Sequence, residues 1–304
     1  MALRRQDAAV AVAERRAQVF RLTGFFGDDQ GRHDGKDTDF VKTDQEHRRR
    51  PVAVFPVSFA LLVAVLTLAT ASMASAAERP LLPGVGTDDR RVPVPVEEAP
   101  WRSLVRVQTN LGGRCTGALV APRRVLTAAH CLFNARTRRF FPESSLHVLF
   151  GYARGDYSRH VTVTAVATDP AYDPAAARPD TAADWAVLTL AEPAPAATPP
   201  LPLAETLSVT GTPVMLGGYS QDRAQILMAD RDCKVLGAGS GLIAHDCDAT
   251  RGTSGGPLLV RDGAGWAVAG VGVAAGRGPE RRNFAVPTAR FRTVLHGQAA
   301  AGQP

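Results

Sequence analysis

Leu126-Thr127-Ala128-Ala129-His130-Cys131 and Gly252-Thr253-Ser254-Gly255-Gly256-Pro257 stand 124 residues apart, counted from the histidine to the serine. A serine hydroxyl is a poor nucleophile at neutral pH. It becomes a good one when an imidazole within hydrogen-bond reach takes its proton, and that imidazole keeps its tautomer when a buried carboxylate holds the other ring nitrogen. The acid comes from Asp184-Trp185-Ala186-Val187-Leu188-Thr189-Leu190, where one aspartate heads an apolar, strand-like run. Asp180 is the nearest rival, but it follows Pro179 in a loop-like stretch with no apolar strand behind it. His130, Asp184 and Ser254 are therefore read as base, orienting acid and nucleophile. The bland alternatives are a buried structural histidine for His130, a strand-edge acid for Asp184 and a plain turn glycine for Gly252.

Outward from these words, the chain reads as strands. Short β-branched runs alternate with turn residues at Ser103 to Thr109, Gly117 to Val120, Val125 to Ala128, Leu146 to Phe150, Val161 to Ala167 and Trp185 to Leu190. A second set follows at Pro213 to Leu216, Cys233 to Leu236, Leu242 to Asp246, Pro257 to Val260, Trp266 to Val273 and Asn283 to Val286. Many short strands at this spacing, in a chain with 28 Gly and 22 Pro, argue for an all-β sandwich or barrel. Ala191 to Pro202 holds five prolines, cannot be a central strand, and reads as the connection between two halves. Pro287 to His296 is the exception: Phe291, Val294 and Leu295 share one helical face and Gly297 is a stop.

The order His130, Asp184, Ser254 and the words around each resemble the chymotrypsin-like (trypsin-like) serine protease family, over roughly residues 99 to 295. That family carries Thr-Ala-Ala-His-Cys, an Asp-x-Ala-x-Leu strand and Gly-x-Ser-Gly-Gly-Pro, all present here in order. The resemblance implies two six-stranded antiparallel β-barrels with a C-terminal helix, the first supplying His130 and Asp184 and the second Ser254. It implies a serine endopeptidase working through an acyl-enzyme, with the N–H groups of Gly252 and Ser254 as the oxyanion hole. It also implies a disulfide between Cys131 and the cysteine sixteen residues earlier, Cys115. Cys233 and Cys247 then pair by elimination, on two runs that look like adjacent strands around Gly237-Ala238-Gly239-Ser240-Gly241. A zinc site is the rival for the cysteines, but no Cys-x-x-Cys or His-x-x-x-His spacing supports it. Neither a metal nor any other cofactor is expected. His147, His160, His245 and His296 are assigned to surface or packing.

Two departures within the resemblance bear on activation and specificity. Digestive members carry an aspartate just before the serine, which pairs with a newly cut amine; here that position is Thr253, as in bacterial glutamyl endopeptidases and periplasmic heat-shock proteases. Gly86-Thr87-Asp88-Asp89-Arg90 and Ala99-Pro100-Trp101-Arg102 are similar to the glutamyl endopeptidase branch. Asp248, six residues before Ser254, occupies the position of the acid that binds Arg or Lys side chains in trypsin-like members. Against it stand Thr250, in place of a bracing cysteine, and Phe284 in Asn283-Phe284-Ala285-Val286-Pro287, which resembles heat-shock proteases that favour small aliphatic side chains. Gly270-Val271-Gly272-Val273 lacks the histidine that glutamate-specific enzymes use. Specificity thus stays open between basic and small aliphatic residues, with Val273, Ala274 and Ala275 expected to pair with the substrate backbone as an added strand.

The N-terminal region sets the compartment. His47-Arg48-Arg49-Arg50 is a basic head, Pro51 to Ala71 an uncharged apolar run, and Ala74-Ser75-Ala76 a small-x-small cleavage site. Residues 41–76 are read as a bacterial signal peptide cleaved near Ala76, with Val41 as an alternative start and 1–40 as an untranslated or disordered extension. A transmembrane anchor is the competing assignment, opposed by Pro56 and the small residues that follow the run. Residues 77–98 are expected to be a surface tail or short propeptide, 99–297 the peptidase domain with halves at about 99–190 and 203–297, and 298–304 a tail. Four cysteines, all beyond the apolar run, suit a secreted or periplasmic protein. The formal charge of +6 is spread in scattered pairs without interleaved aromatics, which excludes a nucleic-acid surface. The expected partners are protein or peptide substrates, without stable membrane insertion after signal removal, for a monomer. A non-enzymatic homologue would show a substituted triad member, and none is substituted.

Overall fold

The computed structural model describes residues 82–205, 209–276 and 282–295. Its first barrel is built from β2 (Leu104–Thr109), β3 (Arg114–Ala121), β4 (Arg124–Thr127), β7 (Leu146–Phe150), β8 (Arg159–Thr168) and β9 (Ala186–Leu190). They close in the order β2-β3-β4-β9-β8-β7, every pairing antiparallel. Side chains on a strand alternate between faces, so Val105 and Val107, Val125, Leu146, Val148 and Phe150, Val161 and Val163, and Leu188 and Leu190 fill the interior. The two-residue strands β5 (Phe133–Asn134) and β6 (Arg139–Phe140) form a separate hairpin, with Phe133 and Phe140 edge to face.

The second barrel uses β10 (Pro213–Gly218), β11 (Met228–Gly239), β12 (Leu242–His245), β13 (Pro257–Asp262), β14 (Gly265–Ala274) and β15 (Asn283–Pro287). It runs β11-β10-β13-β14-β15-β12, and the pairing of β12 with β11 closes it. Val214, Leu216, Val235, Ile243, Leu258 and Ala285 form its interior. Trp101, Leu104, Trp185, Met215, Tyr219, Leu259, Val271 and Phe291 belong to one further cluster that joins the barrels. The chymotrypsin-like double barrel expected from the sequence is therefore what the chain forms. Both expected disulfides, Cys115–Cys131 and Cys233–Cys247, are made.

The structure corrects two expectations. Of the stretch read as a tail or propeptide, residues 82–98 are built into the domain: β1 (Val92–Pro93) pairs with β11, and Val85, Val94 and Val96 are buried. Charge and proline conceal this in the sequence. Arg91 is buried because its guanidinium meets Asp222 through both terminal nitrogens and Asp89 through Nε and one terminal nitrogen, at 2.8–3.0 Å. The C-terminal helix begins later than expected, because Pro287 still belongs to β15. A 3-10 turn, Thr288–Arg290, follows it, and helical geometry covers residues 292–295 of those described. Phe291 packs on Trp185, ring centres 5.9 Å apart, and so binds the C-terminal segment to the strand that begins after Asp184. The extension 1–40, the segment 41–76 read as a signal peptide or anchor, residues 77–81 and the tail 298–304 lie outside the described residues. Among the described residues no helix is long and apolar enough to cross a membrane.

Candidate active site

β4 and β9 are hydrogen-bonded neighbours, with Thr127 opposite Ala186. That register is why His130 and Asp184 meet: one lies just past the end of β4, in the turn Ala129–Leu132, and the other just before the start of β9. Asp184 accepts two hydrogen bonds from the histidine, the His130 backbone N–H to Oδ1 at 2.8 Å and Nδ1 to Oδ2 at 2.6 Å. The carboxylate side chain is 8% exposed and the imidazole 37%. An Nδ1–H donated to the acid leaves Nε2 with its lone pair, the tautomer a general base needs. Asp180, the rival acid, is committed elsewhere: it caps the turn Thr181–Ala183 by accepting the Ala182 N–H at 2.9 Å.

Tyr172 escaped the sequence analysis. It is buried beside Asp184, and burial together with that negative charge pushes its phenol up, so it stays protonated as a donor toward the carboxylate. No spacing or motif around it signals this.

Ser254 sits half-buried in the loop before β13, and the first barrel holds that loop in place. The Thr116 N–H donates to the Ser254 carbonyl at 2.9 Å, and the Thr116 hydroxyl donates to the Gly252 carbonyl at 2.8 Å while accepting the Tyr219 N–H at 2.8 Å. Thr116 follows Cys115, whose disulfide partner Cys131 follows His130. One strand, β3, therefore anchors both the histidine turn and the serine loop. The Cys131 sulfur lies 3.8 Å from His130 Nε2 and 3.8 Å from the Ser254 carbonyl oxygen, so the two residues share one corner of the cleft. Cys115 and Cys131 are joined to each other, so neither offers a thiolate to a metal beside His130.

Gly252 has φ +88°, and a Cβ there would come within 2.4 Å of the Tyr219 carbonyl, so the loop shape requires glycine. The N–H groups of Thr253, Gly255 and Gly256 donate to backbone carbonyls, whereas those of Gly252 and Ser254 find no acceptor among the described residues. Thr253 is buried, its hydroxyl 3.1 Å from that of Ser220.

A pocket of about 180 Å³ opens beside Ser254. Val273, Ala274, Ala275 and Phe284 line it, as do Ala249, Thr250, Arg251, Asn283 and His245. Asp248 does not, which corrects its assignment as a substrate-facing acid. Its carboxylate is fully buried, accepts the Gly86 and Arg90 N–H groups at 2.8 Å each, and lies 3.8 Å from the Arg90 guanidinium. Its own N–H donates to Asp230, itself paired with Arg90 at 2.9 Å. Residues 86 and 90, in the segment preceding the first barrel, thus supply the donors that turn this acid away from the pocket. His245, assigned to packing, is wholly buried in the pocket wall. Burial pushes its imidazole down to about 3, and neither ring nitrogen has a hydrogen-bond partner among the described residues.

Comparison with known proteins bears on this geometry. A family model described as a trypsin-like peptidase domain matches residues 115–271, just over half of the chain. Serine protease 56 of Mus musculus is 31% identical over 181 residues, 52% of this chain and 29% of that protein; the human protein of the same name is 30% identical over 182. This chain therefore spans under a third of the length of those relatives. A glutamyl endopeptidase of Bacillus licheniformis is 32% identical over 56 residues, 18% of this chain. A solved structure of a Glu endopeptidase in complex with MPD superposes with a TM-score of 0.61 at 22% identity, covering 71% of this chain and 99% of that one. At that identity the likeness shows the fold alone.

Proposed function

This chain belongs to the trypsin-like peptidase domain family, and from that premise we propose that it is a serine endopeptidase hydrolysing peptide bonds through His130, Asp184 and Ser254. The observation that carries the proposal is the doubly bonded His130–Asp184 pair, set in the same corner as the Ser254 loop. His130 Nε2 takes the Ser254 proton as Oγ attacks the peptide carbonyl carbon. The carbonyl oxygen becomes negative and is met by the uncommitted N–H groups of Gly252 and Ser254, a contribution worth on the order of a hundredfold or more per donor. The C–N bond then breaks, His130 returns its proton to the departing amine, and water repeats the sequence on the acyl-enzyme. Asp184 keeps the imidazole oriented and stabilises its cationic form.

The substrate backbone adds as a strand along Val273–Ala275, at the end of β14. Gly255 and Gly256 are hydrogen-bonded to Gly272 on the same strand, so the scissile bond and the serine keep a common reference. No carboxylate lines the pocket among the described residues, which favours an uncharged side chain there over a basic one. Thr253 has a neutral hydroxyl partner, consistent with an enzyme whose competence does not depend on a buried salt bridge to a new amine. The two disulfides and the apolar leader support export by a bacterial cell and action outside the cytoplasm.

Peptide-library digestion by the purified protein and by Ser254→Ala tests the activity. Cleavage confined to the wild type is expected; equal cleavage by both would remove Ser254 as the nucleophile, and none by either would remove the proposal and favour a binding homologue. N-terminal sequencing of the exported protein tests the leader, with a start near Ala77 expected and an intact apolar segment contradicting it.

A further inference from the structure

Two imidazoles outside the proposed mechanism stand side by side on the first barrel. His147 lies on β7 and His160 on β8, and the register sets His160 opposite Leu149, two residues along from His147. Side chains alternate along a strand. With Val148 and Phe150 filling the barrel, His147 points outward, and so does His160 beside the inward-facing Val161. A diagonal pair on one face lies within reach of long side chains. His147 Nδ1 and His160 Nε2 are 2.9 Å apart, with ring centres 4.9 Å apart and ring planes tilted by 48°. The other nitrogen of His147 faces an acceptor, the Asn110 side-chain oxygen. The spacing of 147 and 160 in the sequence does not announce this pair; the antiparallel register of β7 and β8 creates it.

We propose that His147 and His160 form a binding site for a divalent transition-metal ion of tetragonal preference, of the copper(II) or nickel(II) type, with Asn110 holding the His147 tautomer. The site is independent of the endopeptidase reading. Neutral imidazole is a donor that suits such ions. With metal–nitrogen bonds of about 2.0–2.1 Å, two ligands at a right angle lie about 2.9 Å apart, whereas a tetrahedral angle spreads them to about 3.3 Å. The observed separation matches the first arrangement. The Asn110 oxygen only accepts, so His147 keeps its proton on Nε2 and presents the Nδ1 lone pair toward His160. A metal-bound histidine commonly has its other N–H fixed in this way. Without the ion, His160 donates its Nε2–H to that lone pair. Because this residue is exposed, the proton passes to its Nδ1 through water, and a turn about the Cβ–Cγ bond aims the freed Nε2 lone pair at the same ion. No carboxylate, thiolate or third imidazole joins them among the described residues, so water fills the remaining positions and the ion stays exchangeable.

The test is calorimetric titration of the protein, free of any histidine tag, with Ni²⁺ at about pH 7.5, above the ordinary imidazole pKa. Ser254→Ala serves as the parent so that self-cleavage plays no part. Saturable binding of one ion per chain is expected, and the denaturation midpoint rises with free Ni²⁺ because the ion binds the folded pair. His160→Gln and His147→Gln each remove the saturable phase, while Asn110→Ala lowers the affinity by about tenfold or more. His130→Ala leaves the affinity unchanged. A parent titration without a saturable phase overturns the assignment whether or not any variant folds. So does saturable binding that survives in a folded His160→Gln protein, or that disappears in His130→Ala instead.

Discussion

Thr116→Val is the substitution that separates the scaffold from the chemistry most sharply. Valine matches the shape of threonine and keeps the strand, but the hydroxyl that donates to the Gly252 carbonyl and accepts the Tyr219 N–H disappears. Thr116 is wholly buried, so water does not replace either bond. Each of the two buried groups left unpaired costs about 1–3 kcal/mol, giving a loss of about 2–6 kcal/mol in global stability. The Gly252 peptide also loses its tether, and its N–H is one of the two proposed oxyanion donors. Misplacing one donor costs up to about a hundredfold in kcat, with KM little changed because ground-state binding does not use it. Thr116→Ser keeps the hydroxyl and is expected to recover most of both losses. Denaturant melts and steady-state kinetics on a single peptide substrate read the two effects separately. A Thr116→Val protein with kcat and stability within twofold and about 0.5 kcal/mol of wild type would refute the claim that β3 positions the serine loop.

Other consequences concern charge, covalent links and pH. Asp222→Ala removes one of the two carboxylates that each hold the buried Arg91 guanidinium at two points, Asp89 being the other, and is expected to cost about 1.5–3 kcal/mol, read as a lowered denaturation midpoint; an unchanged midpoint would mean that the Arg91–Asp222 pair contributes little to the fold. Removing the Cys233–Cys247 link, which closes a loop of similar length to a 15-residue one, is expected to cost about 3 kcal/mol by the same measurement. His245 titrates about 3 when folded and near 6.5 when unfolded, so the unfolded chain binds more protons between those values and stability falls as pH drops from about 6 toward 3. The loss is about 1.4 kcal/mol per pH unit from this group, and His245→Phe flattens that part of the pH–stability curve. An equal slope in the variant would show that His245 is not held neutral.

The barrels were legible in the sequence because a strand with one face in a barrel alternates its residues, and Leu146–Phe150 or Val161 to Val163 carry that alternation locally. His130, Asp184 and Ser254 could be picked out as the proposed triad because that chemistry demands those residue types in recognisable words. Residues 84–96 were not. Their burial depends on Arg91 finding Asp222, 131 positions away, and a charged, proline-rich stretch shows no period that announces such a partner. Asp248 was misread for the same reason: the direction of its side chain is set by the Gly86 and Arg90 N–H groups, which no local pattern reveals. Thr116 looks like any β-branched strand residue, and only the approach of the second barrel gives its hydroxyl two partners. His245 and Tyr172 acquire meaning from the wall they line and the carboxylate they face.

The most direct test of the central claim is the site and rate of covalent labelling by a phosphonofluoridate, followed by peptide mass spectrometry, in the wild type and in His130→Ala. A single adduct on Ser254 is expected, formed on the order of a hundredfold or more slower when the imidazole is removed. An adduct on another residue, or labelling of Ser254 that does not depend on His130, would contradict it.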